Sequence, residues 1–184
     1  MSTVVLGPGD PLTSALTDGL GAVASELDAE LPPAVDGVVV VVGAGPTTTV
    51  DAGEEMWRTL VALQHAHSAM AQRGGRIVLV VPTIGMAGAA GSVGYTTAIE
   101  GIRAMAKSAA RQWRSDGVTV NLIAAPVSLF APGLHVYHLT AAAFSDDSTL
   151  IHTVLETTKF LLRRDIDHLV GATIVADGGS VMLP

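Results

Sequence analysis

Few residues in this 184-residue chain have types and spacing suited to chemistry, and Tyr95 is the foremost. A tyrosine moves protons near neutral pH only when a cation beside it lowers a pKa that is otherwise about 10. One helical turn after Tyr95 stands Ile99, and the next lysine, Lys107, lies three turns away. Thr83 offers a hydroxyl, but it follows Pro82 and strand neighbours face opposite sides. His65 and His67 diverge by about 200° around a helix, so they cannot share a metal ion. His135 and His138 would need further ligands. The carboxylate pairs Glu54-Glu55 and Asp146-Asp147 fall at expected helix starts, where they serve caps and the helix dipole. The absence of cysteine excludes disulfides and thiolate zinc sites, and there is neither a G-x-S-x-G elbow nor a lysine-bearing phosphate loop.

The elements that must position these residues centre on 75–126. Gly75, Arg76 and the apolar run 77–81 read as a buried strand bounded by Pro82. A helix follows from near Tyr95, with Ala98, Ile99, Ile102, Met105, Ala106, Ala109 and Trp113 on one stripe. Asp116-Gly117 ends it, and 118–124 forms a second buried strand. Two strands without polar alternation, joined by a helix, predict a parallel sheet covered on both faces. Upstream, 3–6 is a strand, Asp10 a helix cap and Pro11 a first helical residue, with Leu12, Ala15, Leu16, Leu20 and Val23 as the buried stripe. Residues 24–34, with Pro32-Pro33, are too few for a strand–helix–strand unit. A strand over 38–42 precedes a helix that Asp51 to Glu54 would open as a capping box, with Met56, Leu60, Leu63, His67 and Met70 on one face. A helix over 148–162 and a strand within 168–179 close the chain.

The length predicts one domain with a sizeable core. Hydrophobic residues make up 49% and mean hydropathy is +0.48, yet the apolar runs are too short to span a membrane. Without a charged-then-apolar leader the chain is expected to be cytoplasmic. A net charge of −7 with dispersed Lys and Arg argues against nucleic-acid binding. High hydrophobicity with few charges suggests a surface covered by another subunit.

The order of motifs resembles the short-chain dehydrogenase/reductase family. That family shows G-R-I, a G-x-x-G loop, Y-x-x-x-K and G-(I/V)-x-V-N-x-(I/V)-x-P-G in sequence. Here the matching residues are Gly75-Arg76-Ile77, Gly85 and Gly88, Tyr95, and Gly117 through Val120 and Asn121 to Pro126. Residues 38–45 resemble the family's D-x-(L/V)-V-N-N-A-G segment with both asparagines replaced, and 168–179 resemble its closing I-T-G-x-x-(I/V)-x-V-D-G-G strand. The resemblance implies a three-layer, Rossmann-like, doubly wound parallel sheet, shortened by loss of its second and third strands. It implies a single domain over 1–184: a dinucleotide-loop unit (1–23), core strands and assembly helices (35–126), a short lid (127–147), and a closing helix and strand (148–184).

The family transfers hydride with NAD(P), using a tyrosine, a lysine, a serine and an asparagine. By that resemblance only Tyr95 remains: the serine position holds Pro82, the lysine position Ile99, and the asparagine position, seven residues after Trp57, Gln64. In the dinucleotide loop Gly7 remains, Pro11 and Thr13 replace the later glycines, and Asp10 adds negative charge. The expectation is a pseudoenzyme without its own NAD(P). It would complete a hetero-oligomer with a full-length active relative, through helices 54–73 and 95–114 and the C-terminal strand and tail. That relative would act on a carbonyl/alcohol substrate such as an acyl-CoA, polyketide or steroid. Two other readings stand beside it: an oxidoreductase using Tyr95 in an atypical site, and a homo-oligomeric ligand-binding or regulatory module.

Overall fold

Valine-rich runs with no polar alternation must be covered on both faces, and the sheet of this chain is built that way. The computed structural model describes residues 2–43, 49–132 and 147–181. Its strands are β1 (Thr3–Leu6), β2 (Val23–Ser25), β3 (Gly37–Val41), β4 (Gly75–Pro82), β5 (Val118–Ala125) and β6 (Thr173–Val175). They pair in parallel throughout, in the order β2-β1-β3-β4-β5-β6. The helices are α1 (Pro11–Leu20), α2 (Thr49–Met70), the short α3 (Ile84–Ala87), α4 (Val93–Trp113) and α5 (Asp147–Leu161). Val38, Val40, Ile77, Leu79, Val120 and Leu122 pack beneath α2 and α4. Their strand neighbours Val39, Val41, Val78, Val80 and Ile123 pack beneath α1 and α5. The expected three-layer, doubly wound parallel sheet is therefore the fold.

Specific side chains fix the ends of these elements. Asp10 caps α1 by accepting the Thr13 N–H at 2.7 Å, Pro11 begins the helix, and Gly21 closes it in the left-handed region. Asn121, buried in β5, donates to the Leu169 carbonyl at 2.8 Å and accepts the Ala172 N–H at 3.0 Å, which seats β6. Arg76, also buried, donates to the carbonyls of Arg163, Gly75 and Arg164 and to Asp167. It thereby ties the loop after α5 to the start of β4.

The structure departs from the sequence reading in three places. Val23 is not part of the α1 stripe: the helix ends at Leu20, and Val23, 68% exposed, begins β2 at the sheet edge. One of the two strands expected to be missing is thus present, as a three-residue strand paired with β1. Between β2 and β3 the chain contains turns and no helix, as the length of 24–34 requires. Helix α2 begins at Thr49, so Asp51 falls within its first turn and not at the position before it. The lid residues 133–146, with His135, Tyr137, His138, Phe144 and Asp146, lie outside the described residues, as do 182–184. Among the described residues no helix is long and apolar enough to cross a membrane.

Candidate functional site

Strand order reverses beside β1: the chain runs outward to β2, then returns past β1 to β3 and onward to β6. In open α/β sheets the crevice at the carboxyl ends of such strands is where ligands bind. Three groups of residues line that edge: the turn after β1, the end of β3, and the first turn of α4.

The turn after β1 is filled from within. A β-carbon on Gly7 would stand 2.6 Å from Thr13 Oγ1 and 3.1 Å from Val41 Cβ, so Thr13 already occupies the space above the glycine. The amides at the start of α1 are committed as well. The Thr13 N–H goes to Asp10 Oδ1, the Ser14 N–H goes to the Asp10 carbonyl at 3.0 Å, and Pro11 has none. Asp10 Oδ2 and Thr13 Oγ1 are buried with no hydrogen-bond partner among the described residues. An anion approaching this helix N-terminus meets a carboxylate where free amides would be needed.

At the end of β3 the Gly43 N–H donates to Glu55 Oε1 at 2.7 Å, and a β-carbon on Gly43 would stand 2.7 Å from that oxygen. Glu55, read from the sequence as a solvated helix-start carboxylate, is half-buried and turned back onto the strand. The spacing of Glu55 along α2 gives no hint of this, because the contact spans the connection between β3 and the helix.

Tyr95 sits in the first turn of α4 with 5% of its surface exposed, and its Oη has no hydrogen-bond partner among the described residues. Burial first, and the Glu55 charge second, push its pKa above the ordinary tyrosine value. The phenol therefore stays protonated and is a donor, not a base. Ile99 is fully buried one turn on, and a β-carbon on Gly85 would stand 2.6 Å from Ile99 Cγ2. No ammonium fits there without displacing that packing. Pro82 is buried as the last residue of β4, paired with Ala125. Thr83 has left the strand and takes helical angles, so strand alternation does not direct it. Its Oγ1 is buried and unpartnered. Gln64 is exposed on α2. The α2 side chain whose charge reaches Tyr95 is Glu55, nine residues earlier.

The two histidines of α2 serve packing. His65 Nδ1 meets the Ala29 carbonyl at 3.0 Å, while His67 stacks on Trp113 and bonds Asp116 at 2.8 Å. Among the described residues no group of three His, Cys, Asp or Glu could hold a metal ion. A cleft of about 360 Å³ lies between the start of α5 and the end of β6, lined mainly by Leu150, Thr153, Val175, Ala176 and Val181. Asp177 beside it is buried and satisfied. It accepts from Gly179 N, Ser180 Oγ and Val181 N, closing the Gly178-Gly179 turn.

The chain is similar to proteins already characterised. The chain is 28% identical over 126 residues to the 3-oxoacyl-(acyl-carrier-protein) reductase FabG of Salmonella typhimurium and 30% identical over 126 residues to that of Vibrio harveyi. Each alignment covers 62% of this chain and 49% of the reductase, so the match extends over about half the length of these relatives. Among solved structures, ElxO with NADPH bound superposes with a TM-score of 0.73 at 14% identity, covering 97% of this chain and 98% of the other. A short-chain type dehydrogenase/reductase from Mycobacterium ulcerans gives 0.73 at 16% identity, covering 97% and 89%. At such identities these two likenesses carry the fold alone. The family profile described as short chain dehydrogenase matches residues 21–129, more than half of the sequence, and the chain belongs to that family.

Proposed function

We propose that this chain is a non-catalytic member of the short-chain dehydrogenase family that assembles with a full-length active relative. The observation that carries the reading is the state of Tyr95. Its phenol is buried without a partner among the described residues, burial and the Glu55 charge both disfavour its ionisation, and the neighbouring position 99 is an isoleucine packed on Gly85. A base for hydride chemistry needs the opposite environment, a cation that lowers its pKa. The turn after β1 supports the same reading. Asp10, Pro11 and Thr13 fill the place where a pyrophosphate would lie, so the residues present do not fit NAD(P). The assembly elements remain: α2 and α4 lie side by side, Met56 seats on Gly101, and Trp57 and Val93 are 65% and 74% exposed on their outer surfaces. The partner's substrate class would be a carbonyl/alcohol pair, with acyl thioesters suggested by the FabG likeness.

The test is reductase activity of the chain alone and co-expressed with a full-length relative from the same source. The reading expects none alone, and activity in the complex that depends on the relative's tyrosine and not on Tyr95. Turnover by the isolated chain that Tyr95→Phe abolishes would overturn it. That result would establish the second reading, an oxidoreductase with an atypical site, which the NADPH bound in the ElxO structure favours.

A further inference from the structure

We infer that the cleft between residues 30–33 and the last turns of α2 is a binding site for a primary alkylammonium ion. The cleft holds about 320 Å³, at the small end of the range for small-molecule sites, and is lined by Glu30, Leu31, Pro33, His65, Ser68 and Ala69. It lies where α2 runs down to the amino end of β4, at the opposite end of the sheet from the crevice beside β1. The state of His65 sets its polarity. A carbonyl oxygen can only accept, so the 3.0 Å contact with the Ala29 carbonyl puts the ring proton on Nδ1. The neutral ring then offers Nε2 as an acceptor, and Nε2 takes no partner among the described residues. Glu30 adds an exposed carboxylate that forms no ion pair among the described residues. Ser68 and Ala69 stand in the last turn of the 22-residue α2, where the helix dipole is negative. No cation lines the cleft: Arg58, two turns before His65 on the same flank of α2, is paired with Asp28 at 3.7 Å. The imidazole Nε2, the carboxylate and the Ser68 hydroxyl oxygen therefore offer three acceptors, which suit the three N–H groups of an ammonium ion. Leu31, Pro33 and Ala69 supply an apolar wall for a short aliphatic stem. An anion would meet both the carboxylate and the negative helix end.

The cleft is apart from the crevice on which the subunit reading rests, so its experiment leaves that reading where it stands. Three probes with one stem separate the contributions: n-butylammonium (stem and cation), 1-butanol (stem alone) and butyrate (stem and anion). Binding to the purified chain, in whatever oligomer it forms, is read by ligand-observed NMR at low salt. The expected order is n-butylammonium, then 1-butanol, with butyrate weakest. Glu30→Gln leaves the fold intact, because the side chain is exposed and unpaired among the described residues, and lowers the preference for n-butylammonium over 1-butanol about fivefold, the scale of one exposed ion pair. Ala69→Lys places an ammonium of the chain itself in the cleft and abolishes n-butylammonium binding. No binding of n-butylammonium, butyrate binding as tightly, or a preference unchanged in Glu30→Gln overturns the site. Binding that persists in Ala69→Lys would put the cation elsewhere and overturn it equally.

Discussion

Removing one oxygen from Tyr95 is the perturbation that reads the site most sensitively in the free chain. The ring is buried in the cluster beneath α2 and α4, so Tyr95→Phe keeps its apolar contacts. The hydroxyl has no partner among the described residues, and an unsatisfied buried hydroxyl costs about 1–3 kcal/mol. Its removal is therefore expected to stabilise the ligand-free protein by about 1 kcal/mol, or about 2–4 °C in Tm for a chain of this size. The pH dependence sharpens the test. Below about pH 10 the tyrosine is protonated in both folded and unfolded states, and the offset between wild type and variant is constant. Above it the unfolded chain ionises while burial and Glu55 keep the native phenol protonated. The unfolded state then binds fewer protons, and wild-type stability falls by about 1.4 kcal/mol per pH unit through this residue. The variant escapes that loss, so urea denaturation between pH 7 and 11 should show the gap widening in its favour above about pH 10. Destabilisation of the variant by about 1 kcal/mol or more at pH 7, or a gap that stays flat to pH 11, would refute the picture of a partnerless phenol.

Ile99→Lys, which restores the family's lysine, is expected to destabilise the chain by at least about 4 kcal/mol. It forfeits about 2 kcal/mol of isoleucine burial and places a charge against Gly85, and thermal melting reads the loss directly. Asp10→Ala removes the α1 cap and should cost about 0.5–2 kcal/mol by urea denaturation, with no gain in NADPH binding by fluorescence because Pro11 and Thr13 remain. Asp36 has its carboxyl held below the usual range, first by the Ser2 N–H and then by Arg164. Its contribution is present above about pH 4 and is lost as pH falls through the lowered value, so Asp36→Asn should flatten the acid limb of a stability profile. The pair is largely exposed, and the effect should stay under about 1 kcal/mol.

The sheet core was legible because burial on both faces leaves apolar runs that only a parallel sheet explains, as at 77–81 and 118–124. The α1 start was legible because Asp10 and Pro11 act locally. β2 was not, since Val23, Ala24 and Ser25 carry no pattern and their pairing with β1 is a tertiary event. Gly21, in the left-handed conformation that ends α1, was the available signal. Gln64, placed at the asparagine position by counting seven residues from Trp57, is an exposed side chain on α2. Glu55 was read as a helix-start carboxylate, and its bond to the Gly43 amide was not legible because the two lie in different elements, twelve residues apart. Pro82 and Ile99 were assigned to the serine and lysine positions by the family resemblance, and neither side chain carries a polar group. That Ile99 also fills the space beside Gly85 required the packed structure.

The most direct measurement is native mass spectrometry of the intact assembly captured on this chain from its own source. The account predicts a complex containing a longer relative with an intact glycine loop and Y-x-x-x-K. A homo-oligomer or a monomer of this chain alone would contradict it.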